Sequence, residues 1–219
     1  AGMSFPIVVL ISGSGSNLQA LIDQSLQGQL SINICAVISN KADAYGLERA
    51  KAAGIPTHTL NHKSFDSREA FDAELQKLID QYQPKLVVLA GFMRILTETF
   101  AQHYEGRMLN IHPSLLPKYK GLNTHQRAID ANEKEHGVSV HFVSPELDAG
   151  AVILQASTDI TKEDTAESLA SRIHAMEHII YPLAVKWFSE DRLTFHDGKA
   201  FLDKNTLSES GVLYNQALT

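Results

Sequence analysis

Apolar runs alternate with amphipathic stretches through the first half of the chain. Residues 5–12 form a β-branched apolar run that a glycine turn closes, which is typical of a buried parallel strand. In residues 17–27 the apolar side chains have the spacing of an amphipathic helix. The same pattern predicts further strands at residues 32–39, 55–60 and 86–90, and helices at 44–53 and 66–82. Asp66 and Glu69 have the spacing of a capping box at the start of the last of these helices. This alternation predicts a doubly wound α/β fold with a mostly parallel sheet.

The second half of the chain has a less regular pattern. It predicts a short helix after Thr97, strands at residues 108–111, 138–143 and 151–157, and a loop at 112–121. Asp164 and Glu167 again have the spacing of a capping box, and the pattern predicts a long helix from there to about residue 189. Pro182 is expected to kink this helix. Asp197 and Gly198 predict a small hairpin, and the last dozen residues are expected to be loosely ordered. No repeat or linker is visible, so we expect one domain over residues 3–219, with halves at 3–105 and 106–219.

Composition and charge narrow the class of protein. With 44% apolar residues in 219, the chain can bury a full core. The net charge of −6 argues against a nucleic-acid binder. No apolar stretch approaches the roughly 20 residues of a membrane span, and the start does not read as a signal peptide. Ala1 and Gly2 resemble an expression scar, and Cys35, the single cysteine, is expected to be a buried thiol. We therefore expect a soluble, cytoplasmic protein.

A loop of small residues follows the first strand: Gly13, Ser14, Gly15, Ser16 and Asn17. It lacks the third glycine of a dinucleotide fingerprint, no acidic residue ends the second strand, and no Gly-Lys-Ser/Thr follows. Backbone N–H groups at a helix start nevertheless favour an anion, so the loop predicts a site for a single phosphate. The alternative is a tight turn capped by Ser16 or Asn17.

A second group of polar residues follows the strand at 108–111. Asn110 and His112 are two residues apart at its end, so their side chains point to one face at the carboxyl edge of the sheet. Asp148 lies in a later loop. The alternatives are a core histidine and a turn aspartate. His174 and His178 have a metal-like spacing, but there is no H-E-x-x-H pattern and no metal site is predicted.

Six segments together resemble the glycinamide ribonucleotide formyltransferase family, a group of folate-dependent enzymes with a Rossmann-like formyltransferase fold. They are ISGSGSNLQ at residues 11–19, SNKAD at 39–43, LAGFMRIL at 89–96, NIHPSLLP at 110–117, HGVSVH at 136–141 and ELD at 146–148. The resemblance covers residues 7–182.

The resemblance also implies roles for individual residues. Asn110, His112 and Asp148 would be the catalytic trio, with Ser139 and His141 as supporting residues beside it. The substrate phosphate and ribonucleotide would be bound by Gly13, Ser14, Gly15, Ser16, Asn17 and Glu177. The folate, 10-formyltetrahydrofolate, would be bound by Arg68, Met93, Arg94, Ile95, Leu96, Asn110, Val143, Glu146, Leu147 and Asp148. The implied partners are these two small molecules, with no metal, nucleic acid or membrane, in a monomer or homodimer.

The implied reaction passes through a tetrahedral intermediate with an oxyanion. Asn110 and His112 would donate hydrogen bonds to that oxygen, and Asp148 would favour the charged ring of His112 and fix its orientation. Three alternatives remain. A formyltetrahydrofolate hydrolase shares the trio but is expected to carry a regulatory N-terminal domain. A methionyl-tRNA formyltransferase is expected to carry a C-terminal barrel. A nucleotide-binding sensor on the same scaffold would need no oxyanion site.

Overall fold

The computed structural model describes residues 4–218, so Ala1 and Gly2 of the predicted scar lie outside the described residues, as do Met3 and Thr219. The chain divides into two compact units, the first ending at Asn110 and the second beginning at Ile111. The single domain with halves at residue 105 stays a prediction. In the described part of the chain, no helix is both long and apolar enough to cross a membrane.

The first unit is built on a parallel sheet with the strand order β5-β4-β1-β2-β3. The strands are β1 (Phe5–Ile11), β2 (Ile32–Ser39), β3 (Thr57–Thr59), β4 (Leu86–Leu89) and β5 (Met108–His112), the last of which continues across the boundary. The helices are α1 (Ser16–Leu26), α2 (Tyr45–Ala52), α3 (Arg68–Asp80) and α4 (Glu98–His103), with a 3₁₀ turn at His62–Ser64. Residues 7–11 of β1 are fully buried, as expected for a central parallel strand. The predicted order of strands and helices is confirmed.

The second unit contains three further strands of the eight-stranded sheet, a separate three-stranded sheet and the longest helix. In the larger sheet β6 (Glu135–Phe142) pairs antiparallel with β7 (Val152–Asp159), which pairs parallel with β11 (Val212–Leu213). The three-stranded sheet contains β8 (Leu193–His196), β9 (Lys199–Leu202) and β10 (Asn205–Thr206), and Asp197 and Gly198 both have positive φ in the predicted hairpin turn. The helices are α5 (Thr124–Asp130) and α6 (Ala166–Ser189), with a 3₁₀ turn at Gln216–Leu218. The predicted α/β class, long C-terminal helix and small hairpin are confirmed.

In both helices with a predicted capping box, the observed N-cap lies one residue after the predicted one. Ser67 caps α3, because its Oγ accepts the Ala70 N–H at 3.0 Å, so Asp66 is not the cap. Thr165 caps α6 and forms a reciprocal box with Ser168, whereas Asp164 pairs with Arg172 at 2.7 Å. The N-cap must precede the first helical residue, and a short hydroxyl side chain serves this role well.

Two further sequence predictions were wrong, and one helix was missed. The last dozen residues contain β11, whose pairing with β7 overrides the weak local pattern. Helix α5 was missed, because its short segment carries no clear apolar repeat. Cys35 is half-buried on β2 rather than fully buried, and burial raises the pKa of its thiol. Pro182 lies inside α6, and the kink there stays a prediction.

Candidate active site

The glycine loop after β1 is shaped by a close approach to the start of α2. Gly15 has a φ of 72° at the N-cap of α1. A Cβ at Gly15 would lie 2.6 Å from the Cα of Gly46, and the Gly46 N–H donates to the Gly13 carbonyl at 2.9 Å. Two glycines are therefore needed where the loop and α2 meet.

The loop leaves backbone donors available at the start of α1. In the described part of the chain, the N–H groups of Gly13, Ser14 and Gly15 donate to no protein acceptor. Arg49 donates from Nε to the Ser14 carbonyl at 2.7 Å, and its guanidinium lies 4.9 Å from the ring centre of Tyr45. Unused N–H groups at a helix start, with a cation against the loop, suit an anion.

The loop after β4, residues 90–97, exposes large apolar side chains, and hydrogen bonds to polar side chains hold its backbone. The Met93 N–H donates to the Ser12 Oγ at 2.7 Å, and that hydroxyl donates to Asn40 Oδ1 at 2.5 Å. Met93 and Ile95 are 62% and 58% exposed, while Leu96 is half-buried. An ordered loop that exposes large apolar side chains is a candidate binding surface.

Two arginines predicted to bind folate also belong to the first unit. The Arg94 guanidinium lies 4.8 Å from the ring centre of Phe71. Its Nε is buried without a hydrogen-bond partner among the described residues. Arg68 is the first residue of α3 and is exposed. The folate roles of Arg68 and Arg94 stay predictions.

His112 and Asp148 are brought together in the second unit. His112 Nδ1 lies 3.5 Å from Asp148 Oδ2, and both side chains are 7% exposed. Asp148 has a φ of 51°, so the loop at residues 143–148 turns through the left-handed region to present its carboxylate. A buried carboxylate beside one ring nitrogen favours a proton on that nitrogen and fixes the ring orientation. Asn110 lies two residues before His112 on β5, so strand alternation puts its side chain on the same face.

The loop after His112 engages both members of the pair. His112 Nε2 contacts the Tyr119 carbonyl at 2.7 Å, and because a carbonyl only accepts, the ring nitrogen is the donor. The Gly121 N–H donates to Asp148 Oδ2 at 3.0 Å. The ring therefore already donates to a carbonyl-type oxygen.

The predicted supporting residues lie on β6. His141 is buried, its Nδ1 contacts the Phe142 carbonyl at 2.9 Å, and burial lowers the pKa of its ring. Asp148 opposes this shift and the charge of His112 adds to it, which places His141 in the electrostatic surroundings of the pair. The Ser139 Oγ donates to the Ser114 carbonyl at 2.7 Å. Ser139 thus contacts the segment that follows His112.

The remaining predicted binding residues of the second unit lie in the loop at residues 143–148 and on α6. Val143 is half-buried, and Glu146 and Leu147 are exposed, in the loop that presents Asp148. Glu177 is buried on α6. Burial, with the nearby Glu177, raises the pKa of Tyr181 well above its usual value. The substrate roles of these residues stay predictions.

Sequence reasoning missed several residues around the candidate site. Gly46 and Arg49 contact the glycine loop, Tyr119 accepts from His112, and Gln155 donates to Ser139. These contacts join residues up to 35 positions apart in sequence. A local pattern carries no signal for such contacts.

An open depression of about 470 Å³ lies elsewhere in the first unit. Its lining includes Asp80, Lys85, His103 and Arg107, at the amino ends of β4 and β5, and contains none of the predicted site residues. Ligands of such sheets bind at the carboxyl ends of the strands, so we do not assign the candidate site to this depression. Within residues 4–218, no cluster of three or more His, Cys, Asp or Glu side chains could hold a metal ion.

Comparison with known proteins gives a consistent result. The profile of the family described as formyl transferase matches residues 5–185. A phosphoribosylglycinamide formyltransferase of Escherichia coli (strain K12) is 56% identical over 205 residues, which cover 94% of this chain and 97% of that protein. A phosphoribosylglycinamide formyltransferase structure from Coxiella burnetii has a TM-score of 0.93 at 58% identity and covers 97% of this chain and all of that one. A glycinamide ribonucleotide transformylase 1 structure from Symbiobacterium toebii has a TM-score of 0.88 at 42% identity, covering 92% and 95%. The chain therefore belongs to the formyl transferase family.

Proposed function

We propose that this protein transfers the formyl group of 10-formyltetrahydrofolate to the amine of 5′-phosphoribosylglycinamide, a step of purine synthesis. The buried His112–Asp148 pair, with Asn110 two residues away on the same strand, is the observation that carries the proposal. Relatives 56% and 50% identical to this chain are phosphoribosylglycinamide formyltransferases, which supports this substrate.

In the proposed reaction the substrate amine attacks the formyl carbon directly. The formyl oxygen becomes an oxyanion, and the side-chain amide of Asn110 and the ring of His112 donate hydrogen bonds to it. The C–N bond to the folate then breaks, and the proton shed by the amine passes through water to the Asp148 carboxylate and on to the folate nitrogen. No residue of the chain needs to act as a covalent nucleophile.

The contact between His112 and Tyr119 suggests how the ring meets the oxyanion. Asp148 occupies the Nδ1 side of the ring, so Nε2 is the donor available to the substrate. The Tyr119 carbonyl holds that donor at 2.7 Å and stands in for the oxyanion as an acceptor. We propose that the formyl oxygen replaces the Tyr119 carbonyl, so residues 118–123 shift when both substrates bind.

The two substrates would engage the loops already described. The phosphate would accept hydrogen bonds from the N–H groups of Gly13, Ser14 and Gly15, with Ser16, Asn17 and Glu177 contacting the ribonucleotide. The folate would contact residues 93–96 and residues 143–148, together with Arg68. Orienting two reactants in one site can contribute roughly 7–11 kcal/mol toward the barrier.

The test is an absorbance assay for deformylated folate, run with a stable 10-formyl folate analogue in the presence and absence of phosphoribosylglycinamide. We expect release only when the ribonucleotide is present. Equal release in its absence would indicate transfer to water, as in the hydrolase alternative. Binding of the ribonucleotide without release would indicate a sensor and contradict the proposal.

A further inference from the structure

A buried hydrogen-bond network fixes the segment that leaves His112. Gln155 Nε2 donates to the Leu116 carbonyl at 3.0 Å and to the Ser139 Oγ at 2.9 Å. The same Oγ accepts the Leu116 N–H at 3.1 Å. Ser114 and Ser139 are fully buried, and Gln155 is 7% exposed.

The direction of every hydrogen bond in this network is determined. The Leu116 carbonyl can only accept, so the atom of Gln155 that faces it must be the amide nitrogen. The Ser139 hydroxyl accepts from Gln155 and from the Leu116 N–H, so its one proton goes to the Ser114 carbonyl at 2.7 Å. The hydroxyl is fully used, and a buried network in this state holds its members in one arrangement.

The network acts on the residues directly after the candidate catalytic histidine. The Ser114 N–H donates to the His112 carbonyl at 2.8 Å, and the Ser114 Oγ donates to the Lys118 carbonyl at 2.5 Å. Pro113 and Pro117 have no N–H, so few backbone donors remain to order this segment. Ser139 and Gln155 face each other as register partners on β6 and β7 and supply the missing hydrogen-bond partners from this antiparallel pair of strands.

We propose that Gln155 is a positioning residue for formyl transfer, and that it holds His112 in place through Ser139 and the backbone of residues 114–116. The inference rests on the proposed function. Among the described residues, the Gln155 side chain donates hydrogen bonds to Leu116 and Ser139 and to no residue assigned to the phosphate or the folate, so its removal should change turnover more than substrate binding. A misplacement of about 1 Å can cost about a hundredfold in rate.

Kinetics of Gln155→Met test the inference, because methionine keeps the length of the side chain and removes both donated hydrogen bonds. We expect kcat to fall at least about tenfold, while KM for each substrate changes less than about threefold. Ser139→Ala should act through the same network, so the double variant should lose little more than the worse single variant. Leu154→Ala is the matched control: it removes a buried side chain next in sequence on β7, and should lower the Tm but leave the kcat of the folded protein near wild type.

Two further measurements keep the inference falsifiable. Gln155→Glu has the same shape without the amide donors and should show the same loss of kcat if Gln155→Met does not fold. The Leu116 amide, which donates to Ser139, should exchange its hydrogen faster in Gln155→Met, while the Val140 amide of β6 should not. A kcat within about twofold of wild type in both Gln155 variants would overturn the inference. A different result would separate the two hypotheses. If the wild-type protein is inactive with the ribonucleotide, the proposed function is contradicted. If the Leu116 amide of Gln155→Met nevertheless exchanges faster, the network still orders residues 114–116.

Discussion

At the scale of single residues, the two members of the His112–Asp148 pair come from different local structures. His112 lies at the end of a strand, and Asp148 lies in a turn with positive φ. His112 is the last residue of β5, and its ring is held on one side by a carboxylate and on the other by a backbone carbonyl. Asp148 occupies the left-handed region, which aspartate tolerates better than most residues. The chemistry of the pair therefore depends on backbone geometry as much as on residue type.

Replacing His112 with alanine should remove the proposed ring donor. We expect kcat to fall by about a hundredfold or more, because the oxyanion loses a preorganised hydrogen bond. The measurement is steady-state release of deformylated folate in the presence of the ribonucleotide. His196→Ala is the control: that side chain is 79% exposed at the end of β8, and its removal should leave kcat unchanged. Turnover near wild type in His112→Ala would remove His112 from the mechanism.

Gly15 tests the glycine loop at the same scale. Gly15→Ala forces a Cβ toward the backbone of Gly46 at a φ of 72°, so we expect the free energy of unfolding to fall by about 1–3 kcal/mol. Urea denaturation measures this change. Gly13→Ala is the matched control for stability, because a Cβ at Gly13 meets nothing within 4 Å. Equal stability of the two variants would show that the loop tolerates a side chain at its closest approach.

At the scale of elements, β6 and β7 form a platform under the segment after His112. Besides the Ser139–Gln155 pair, Gly137 lets the Leu115 side chain lie directly on β6, since a Cβ there would be 2.6 Å from Leu115 Cδ2. The same Cβ would also overlap the Ala156 carbonyl of β7. Close packing of β6 against β7 and Leu115 therefore requires a glycine at position 137.

Gly137→Ala should disturb that platform. We expect a loss of about 1–3 kcal/mol in the free energy of unfolding, because the two strands or Leu115 must move to admit the methyl group. Calorimetry and urea denaturation both report it. Ser157→Ala changes the exposed register partner directly opposite Gly137 and should stay within about 0.5 kcal/mol of wild type. If Gly137→Ala leaves the free energy of unfolding unchanged, the two strands separate at little energetic cost.

At the scale of the whole molecule, three histidines of the second unit resist protonation. Burial is the first cause in each case: it lowers the pKa of His125 and of His141, and lowers the pKa of His136 to about 4. His125 Nδ1 and His136 Nε2 lie 3.1 Å apart, so a charge on either ring disfavours a charge on the other. Glu133 acts in the opposite direction on His136, but does not outweigh burial.

This arrangement predicts acid sensitivity with a defined sign. The unfolded chain binds a proton on each histidine near pH 6.5, whereas folded His136 does so only near pH 4. The contribution of His136 to the free energy of unfolding should therefore be constant above about pH 7 and fall as the pH drops from about 6.5 to about 4.

Urea denaturation over this pH range, with His136→Gln beside wild type, measures the contribution of one histidine. We expect the slope of unfolding free energy against pH to decrease by up to about 1.4 kcal/mol per pH unit in the variant. His196→Gln, at an exposed position, should keep the wild-type slope. An unchanged slope in His136→Gln would assign the acid sensitivity to other groups.

The order of elements and the candidate residues could be predicted from the sequence because both have local signals. Buried strands such as β1 are continuous apolar runs, and helices such as α1 repeat their apolar face every three to four residues. Loop motifs after strands mark Gly13–Asn17 and Asn110–His112 by position alone. The predicted helix starts were wrong by one residue, since Ser67 and Thr165 stand next to acidic residues that satisfy the same pattern.

Only the tertiary structure determined which side chains meet. The 3.5 Å contact of His112 with Asp148 joins residues far apart in sequence, and so do the contacts of Ser139 with Ser114, of Gln155 with Leu116 and of Gly15 with Gly46. Hydrogen bonds and packing act over a few ångströms in space, while sequence patterns report only on neighbours along the chain. The sequence by itself therefore determined the kinds of elements and the residue types available for the chemistry. The fold decided their partners, their burial and the direction in which each proton is donated.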